Sequence, residues 1–171
     1  MGDRCKVCPD APRCPNRRAR RALKKTGKEY QWTLIKQFLI ANGVSPDVLT
    51  NVVYAVLVQT PHDLCVKYGV ATTLEPREGV FGKTSGRIAS LQQMLNKEGC
   101  SIIRILAAIP EDVAKGVLKT QLEGHLLRET KDHKVVLGNH KEFRDLKSLE
   151  IFDGIVKILT DMRVPVYENH L

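Results

Sequence analysis

Cys5-Lys6-Val7-Cys8 followed by Cys14 sets three thiols at C-x2-C-x5-C spacing. Two cysteines separated by two residues grip one metal ion from a single turn, and structural zinc sites take four such ligands. The fourth must come from elsewhere. Cys65, Cys100, His62 and Asp10 have suitable chemistry, and Cys65, beside His62 on a short expected helix, is the first choice. The pattern predicts zinc, with an iron–sulfur cluster as the competing occupant and free thiols in a tail as the metal-free alternative. Residues 1–16 hold almost no large apolar side chain, so ligation would be what folds them.

The next chemistry is charge. Residues 1–28 contain ten Lys or Arg against Asp3 and Asp10, a balance of +8 that equals the net charge of the whole 171-residue chain. The rest of the chain carries 17 basic and 17 acidic residues and is neutral. Arg17, Arg18, Arg20, Arg21, Lys24 and Lys25 crowd one segment without a helix breaker. Such a segment repels itself unless an anion lies against it, and a phosphate backbone is the commonest such partner. Acidic protein surface, anionic lipid or simple solvation are the alternatives. Duplex DNA is favoured over RNA, because aromatic content is 5% and Trp32, Phe38 and Phe143 read as core, which leaves no stacking platform for single strands.

Motifs for catalysis are lacking. Gly79-Val80-Phe81-Gly82-Lys83-Thr84 ends like a phosphate loop, but Arg77 stands where its first glycine belongs. His125, His133 and His140 lie near Glu123, Asp132 and Glu142, which raises a metal-dependent enzyme as an alternative. Their spacings put them on no shared helical turn, so they read as surface histidines, and no catalysis is expected. Five cysteines, an odd number, a polar N-terminus and no run of 18 apolar residues predict an intracellular protein of a reducing compartment, host-cell cytoplasm or nucleoid, away from membranes.

The elements that would position these groups read as mainly α. Trp32, Ile35, Phe38 and Leu39 recur at helical spacing until Asn42-Gly43. Ser45-Pro46-Asp47 is a helix start, which favours helix over a buried strand for Val48–Val58, and Thr60-Pro61-His62-Asp63 repeats the signal for a short helix ending at Gly69. Residues 70–83 read as an extended excursion. A helix from Thr84-Ser85 to Lys97, a strand over Cys100–Leu106, a helix from Pro110 to about Glu129 and a long helix over Lys141–Met162 complete the chain. Leu146, Leu149, Phe152, Val156, Leu159 and Met162 line one face of the last, as core or as an oligomer seam. The expected architecture is a helical bundle with a small β element and an N-terminal cysteine knuckle. Its units are a knuckle and arm at 1–28, a middle domain at 29–106 and a C-terminal helical unit at 107–171.

Thr60–Gly69 with Val70, then Gly86–Gly99 running into Cys100-Ser101-Ile102-Ile103, resembles the two helices and first wing strand of winged helix-turn-helix proteins. The resemblance implies a recognition helix that buries Ile88, Leu91 and Leu95 and turns Ser90, Gln93 and Lys97 outward, with Arg87 on its shoulder, toward a major groove. The layout of knuckle, basic segment, helix-turn-helix and C-terminal helices is similar to small terminase subunits of tailed phages and to phage regulators. That implies a non-enzymatic DNA-binding protein that forms a homo-oligomer or joins a larger assembly. A viral or ribosomal RNA-binding accessory protein with a zinc-anchored arm is the alternative.

Overall fold

The computed structural model describes residues 33–44, 50–74, 77–78, 84–85, 87–111 and 118–170. Their organising feature is a five-stranded antiparallel sheet in the order β6-β2-β1-β5-β7. Helix α1 (33–42) comes first. It is followed by β1 (Thr50–Gln59), β2 (Leu64–Thr73), the short pair β3 (Arg77–Glu78) and β4 (Thr84–Ser85), α2 (Arg87–Lys97) and β5 (Ser101–Pro110). Then come α3 (Lys119–Glu129), β6 (Phe143–Arg144), α4 (Ser148–Asp161) and β7 (Tyr167–Glu168).

This overturns the expected helical bundle. Of the segment Val48–Val58, read as helix from its cap, the described residues from Thr50 onward form the central strand β1, paired with β2 on one side and β5 on the other. Val52 through Val58 are buried without interruption. An unbroken apolar, β-branched run is what a strand covered on both faces needs. The third expected helix, from Thr60 to Gly69, is instead a tight turn and the first part of β2. The Thr60 hydroxyl accepts the amide of Asp63 at 2.9 Å, and the Thr60 amide bonds the Asp63 carbonyl at 2.8 Å. Side-chain capping chemistry that would begin a helix here closes a hairpin. The first helix of the helix-turn-helix reading is therefore absent.

Two helices pack on each face of the sheet. Ile35 and Phe38 of α1 and Ile88, Leu91 and Leu95 of α2 meet Val52, Tyr54, Val56 and Val58. Leu122 and Leu126 of α3 and Phe152, Val156 and Leu159 of α4 meet Val53, Ala55 and Leu57 on the other face. Alternation along β1 thus feeds two cores from one strand. The boundary expected after residue 106 falls inside β5. The last helix starts seven residues later than expected, at Ser148, whose amide bonds Asp145 Oδ1 at 3.2 Å. Phe143 and Arg144 ahead of it form β6 and pair with Lys67 and Val66. Along α4, Phe152, Val156 and Leu159 are core, while Leu146 precedes the helix and Met162, just beyond its end, is half exposed. No described helix is long and apolar enough to cross a membrane.

Candidate functional site

Strand alternation puts Cys65, Lys67 and Gly69 on the same face of β2. Val58, Val56 and Tyr54 are their partners on β1. A lysine on the core face of a strand is out of place, and this one has a side chain only 1% exposed. Burial of an ammonium is tolerable only if its donors are paired. Lys67 Nζ donates to Glu142 Oε2 at 2.7 Å and to the Tyr68 carbonyl at 3.2 Å, and it stands 5.5 Å from the centre of the Tyr54 ring.

Tyr54 lies directly opposite Gly69 in the ladder. Its side chain crosses β2 there: a Cβ on Gly69 would fall 2.5 Å from the Tyr54 hydroxyl oxygen and 3.0 Å from Lys67 Nζ. Glycine is what lets a phenol and an ammonium gather over the strand. From the first turn of α2, Arg87 Nε donates to the same hydroxyl oxygen at 2.9 Å. Two cations and a phenol therefore converge above Gly69.

Two carboxylates act on this group: Glu142, bonded to Lys67, and Glu123, which stands on α3, a helix of the opposite face, and acts through its charge alone. Burial pushes the carboxyl of Glu142 up, but the hydrogen bond and charge of Lys67, aided by Arg87 and His140, outweigh it and hold the pKa below the ordinary value. Glu123 on α3 is shifted the other way. Burial and the negative charge of Glu142 raise its pKa, against the charges of Lys67 and Arg87. One carboxylate is therefore committed to a lysine while the other binds its proton more firmly than usual. The floor of the group is closed, with Tyr54 1% and Lys67 0% exposed. Its rim is open, since the Glu142 side chain is 40% exposed, and Arg87 and Glu123 are part-exposed.

The residues expected from sequence are dispersed. Cys5, Cys8, Cys14, Arg17, Arg18, Arg20, Arg21, Lys24 and Lys25 lie outside the described residues. Cys65, the expected fourth zinc ligand, sits on a strand, 1% exposed among core side chains. Burial, together with the Cys100 thiol, pushes its thiol up to about 11; burial also raises Cys100. On α2, Ile88, Leu91 and Leu95 are buried and Ser90, Gln93 and Lys97 are exposed. Arg87, expected at a groove, is engaged by Tyr54.

The histidines are not gathered. His125 is exposed, and His133 Nδ1 pairs with Asp145 at 3.1 Å, where Asp145 also begins α4. Among the described residues no three His, Cys, Asp or Glu are grouped to hold a metal ion. Tyr54, Lys67, Glu123 and Glu142 escaped sequence reasoning as a set because they are scattered over 89 positions of chain. One signal was present: once 64–73 is read as a strand, Lys67 is a charge on its apolar face.

Comparison with protein-family models, with curated proteins and with solved structures finds no match to the chain.

Proposed function

We propose that this chain is a phosphodiester-cleaving enzyme that acts on nucleic acid, with its reaction centre at Tyr54, Lys67, Arg87, Glu123 and Glu142. The observation that carries the reading is a guanidinium bonded to the Tyr54 hydroxyl with a buried ammonium beside the same ring, over Gly69. Cations held in a dry floor stabilise the charge that builds on phosphate oxygens in transfer, where water-exposed cations would be screened.

In this reading Arg87, at the open rim, binds a non-bridging oxygen of the scissile phosphate, while Lys67 beneath it, closed to solvent and bonded to Glu142, adds its charge without touching substrate. Water attacks phosphorus, a P–O bond to the leaving sugar oxygen breaks, and that oxygen departs as an alcohol. The attacking water gives a proton to the Glu123 carboxylate and the leaving oxygen takes one from solvent, while the Tyr54 hydroxyl, 1% exposed, holds Arg87 in place without touching substrate. Glu123 and Glu142 at the rim supply two carboxylates, and one or two carboxylates with substrate phosphate are the usual ligand set for a hydrated Mg2+. A basic arm of +8 over residues 1–28 supplies affinity without sequence information, as the salt-dependent part of nucleic-acid binding does. This reading departs from the expectation of a non-enzymatic protein and keeps the nucleic-acid partner.

Incubation of the full chain with supercoiled plasmid and Mg2+ tests this. Conversion to nicked and linear forms is expected, lost in Glu123→Gln while DNA binding persists. Absence of conversion with Mg2+ or Mn2+, or undiminished conversion by Glu123→Gln, would overturn the reading.

A further inference from the structure

Resting on the reading above, we infer that Arg144 is a positioning residue for the reaction centre, fixing the two carboxylates Glu123 and Glu142 at a set separation without touching substrate. Arg144 is 4% exposed, and its guanidinium makes four hydrogen bonds to two segments, beside the backbone bonds Val135 to Phe143 and Asp145 to His133 that join the chain after α3 to the same strand. On one side Nη1 donates to the carbonyls of Lys141 at 2.8 Å and Phe143 at 2.9 Å, the two residues that flank Glu142. On the other side Nη2 donates to the Leu127 carbonyl at 3.2 Å and Nε to the Thr130 hydroxyl at 3.0 Å. Leu127 and Thr130 form the C-terminal end of α3, and Leu127 lies one turn beyond Glu123 on the same face.

The planar fork of one side chain thus joins the backbone of Glu142 to the helix that carries Glu123. Thr130 is itself locked, 0% exposed, with its hydroxyl donating to the Leu126 carbonyl at 2.6 Å. Stability alone is a weak reason for this arrangement. All four acceptors are neutral oxygens, so the charge is buried without a carboxylate in hydrogen-bonding contact, which is a costly way to fill a core. A guanidinium does what an apolar residue cannot: it satisfies carbonyls at the end of α3 and at the Glu142 loop together, in a fixed plane.

Arg144→Lys keeps the charge and loses the fork, and it is the informative variant. Misplacement of reacting groups by about 1 Å lowers turnover about a hundredfold, so kcat for cleavage of a short duplex is expected to fall by about tenfold to a hundredfold with KM nearly unchanged. The same displacement loosens Glu142 from Lys67, so NMR of the Lys67 ammonium should show hydrogen exchange with water at least several-fold faster than in the wild type. An unchanged kcat with unchanged ammonium exchange in a folded Arg144→Lys protein overturns the assignment. A rise in KM alone does so too. Should the wild type cleave nothing, the phosphodiesterase reading fails by itself, and the ammonium exchange still decides whether Arg144 sets the Glu142 contact. Should Arg144→Lys fail to fold, Thr130→Val removes one acceptor of the fork, and a smaller change in the same two readouts is expected; none would refute the role.

Discussion

Arg87 Nε donates to the Tyr54 hydroxyl at 2.9 Å, and this bond fastens the first turn of α2 to the middle of the central strand. The hydroxyl oxygen faces a guanidinium on one side and, across Gly69, the Lys67 ammonium on the other. Removing Arg87 therefore affects charge and orientation at once. Arg87→Ala is expected to lower the cleavage rate by about a hundredfold or more, while unfolding free energy drops by about 1 kcal/mol for the lost hydrogen bond. Single-turnover cleavage and urea denaturation measure the two separately. A loss of stability that fully accounts for the loss of rate would reduce Arg87 to a structural part.

Gly69→Ala tests the crossing of Tyr54 over β2. The added methyl would meet the hydroxyl at 2.5 Å and the ammonium at 3.0 Å, so both must shift. A destabilisation of about 1–3 kcal/mol is expected from overpacking, with cleavage reduced further than stability explains. A variant as stable and active as the wild type would mean that the phenol has room to move aside.

Acid should act on the two carboxylates in opposite directions. Glu142 has its pKa lowered from 4.5, so its contribution to stability is present above 4.5 and is lost as pH falls through the lower folded value. Glu142→Gln should flatten the acid limb of a stability profile. Glu123 has its pKa raised from 4.5; its effect is most favourable below 4.5 and is lost as pH rises through the folded value. Glu123→Gln should accordingly be at least as stable as the wild type at neutral pH. Chemical denaturation from pH 3 to pH 7 reads both slopes, and an acid limb unchanged by Glu142→Gln would remove the Lys67 pair from the account.

Cys65 and Cys100 are both buried, and burial holds the Cys65 thiol at about 11. Thiolates carry the reactivity of cysteine, so at pH 8 neither residue should be alkylated in the folded protein, and both should react once urea is added. Peptide mass mapping after iodoacetamide provides the check. Rapid labelling of Cys65 without denaturant would contradict its place in the core.

Much of the scaffold could be read from the residues, and the misreadings have physical causes. The spacing of Ile35 and Phe38, and of Ile88, Leu91 and Leu95, marks helices whose one face is core, and Ile102, Ile103 and Ile105 mark β5. Thr60-Pro61 points to a helix that does not form because capping residues serve turns as readily as helix ends; Ser45-Pro46-Asp47 lie outside the described residues. At Thr60 the hydroxyl closes a hairpin, and once that turn is missed the whole sheet is lost. The long last helix was drawn too early because nothing local distinguishes an edge strand of two residues, Phe143–Arg144, from the start of a helix. The site was hidden for another reason. Tyr54, Lys67, Arg87 and Glu142 have no mutual spacing, and only the pairing of β1 with β2, the packing of α2 and the return of the chain at Glu142 join them, while Glu123 acts from α3 through its charge.

The central claim is that these five residues cleave a phosphodiester, and single-turnover cleavage of an end-labelled DNA duplex by wild type and Tyr54→Phe tests it most directly. The phenylalanine ring keeps the packing and removes only the hydroxyl that Arg87 addresses. Mg2+-dependent cleavage by the wild type is expected, with a rate lower by about tenfold to a hundredfold in Tyr54→Phe, where Arg87 loses its anchor, and with equal DNA binding and an intact fold. Equal cleavage by the two proteins, or none by the wild type, would contradict it.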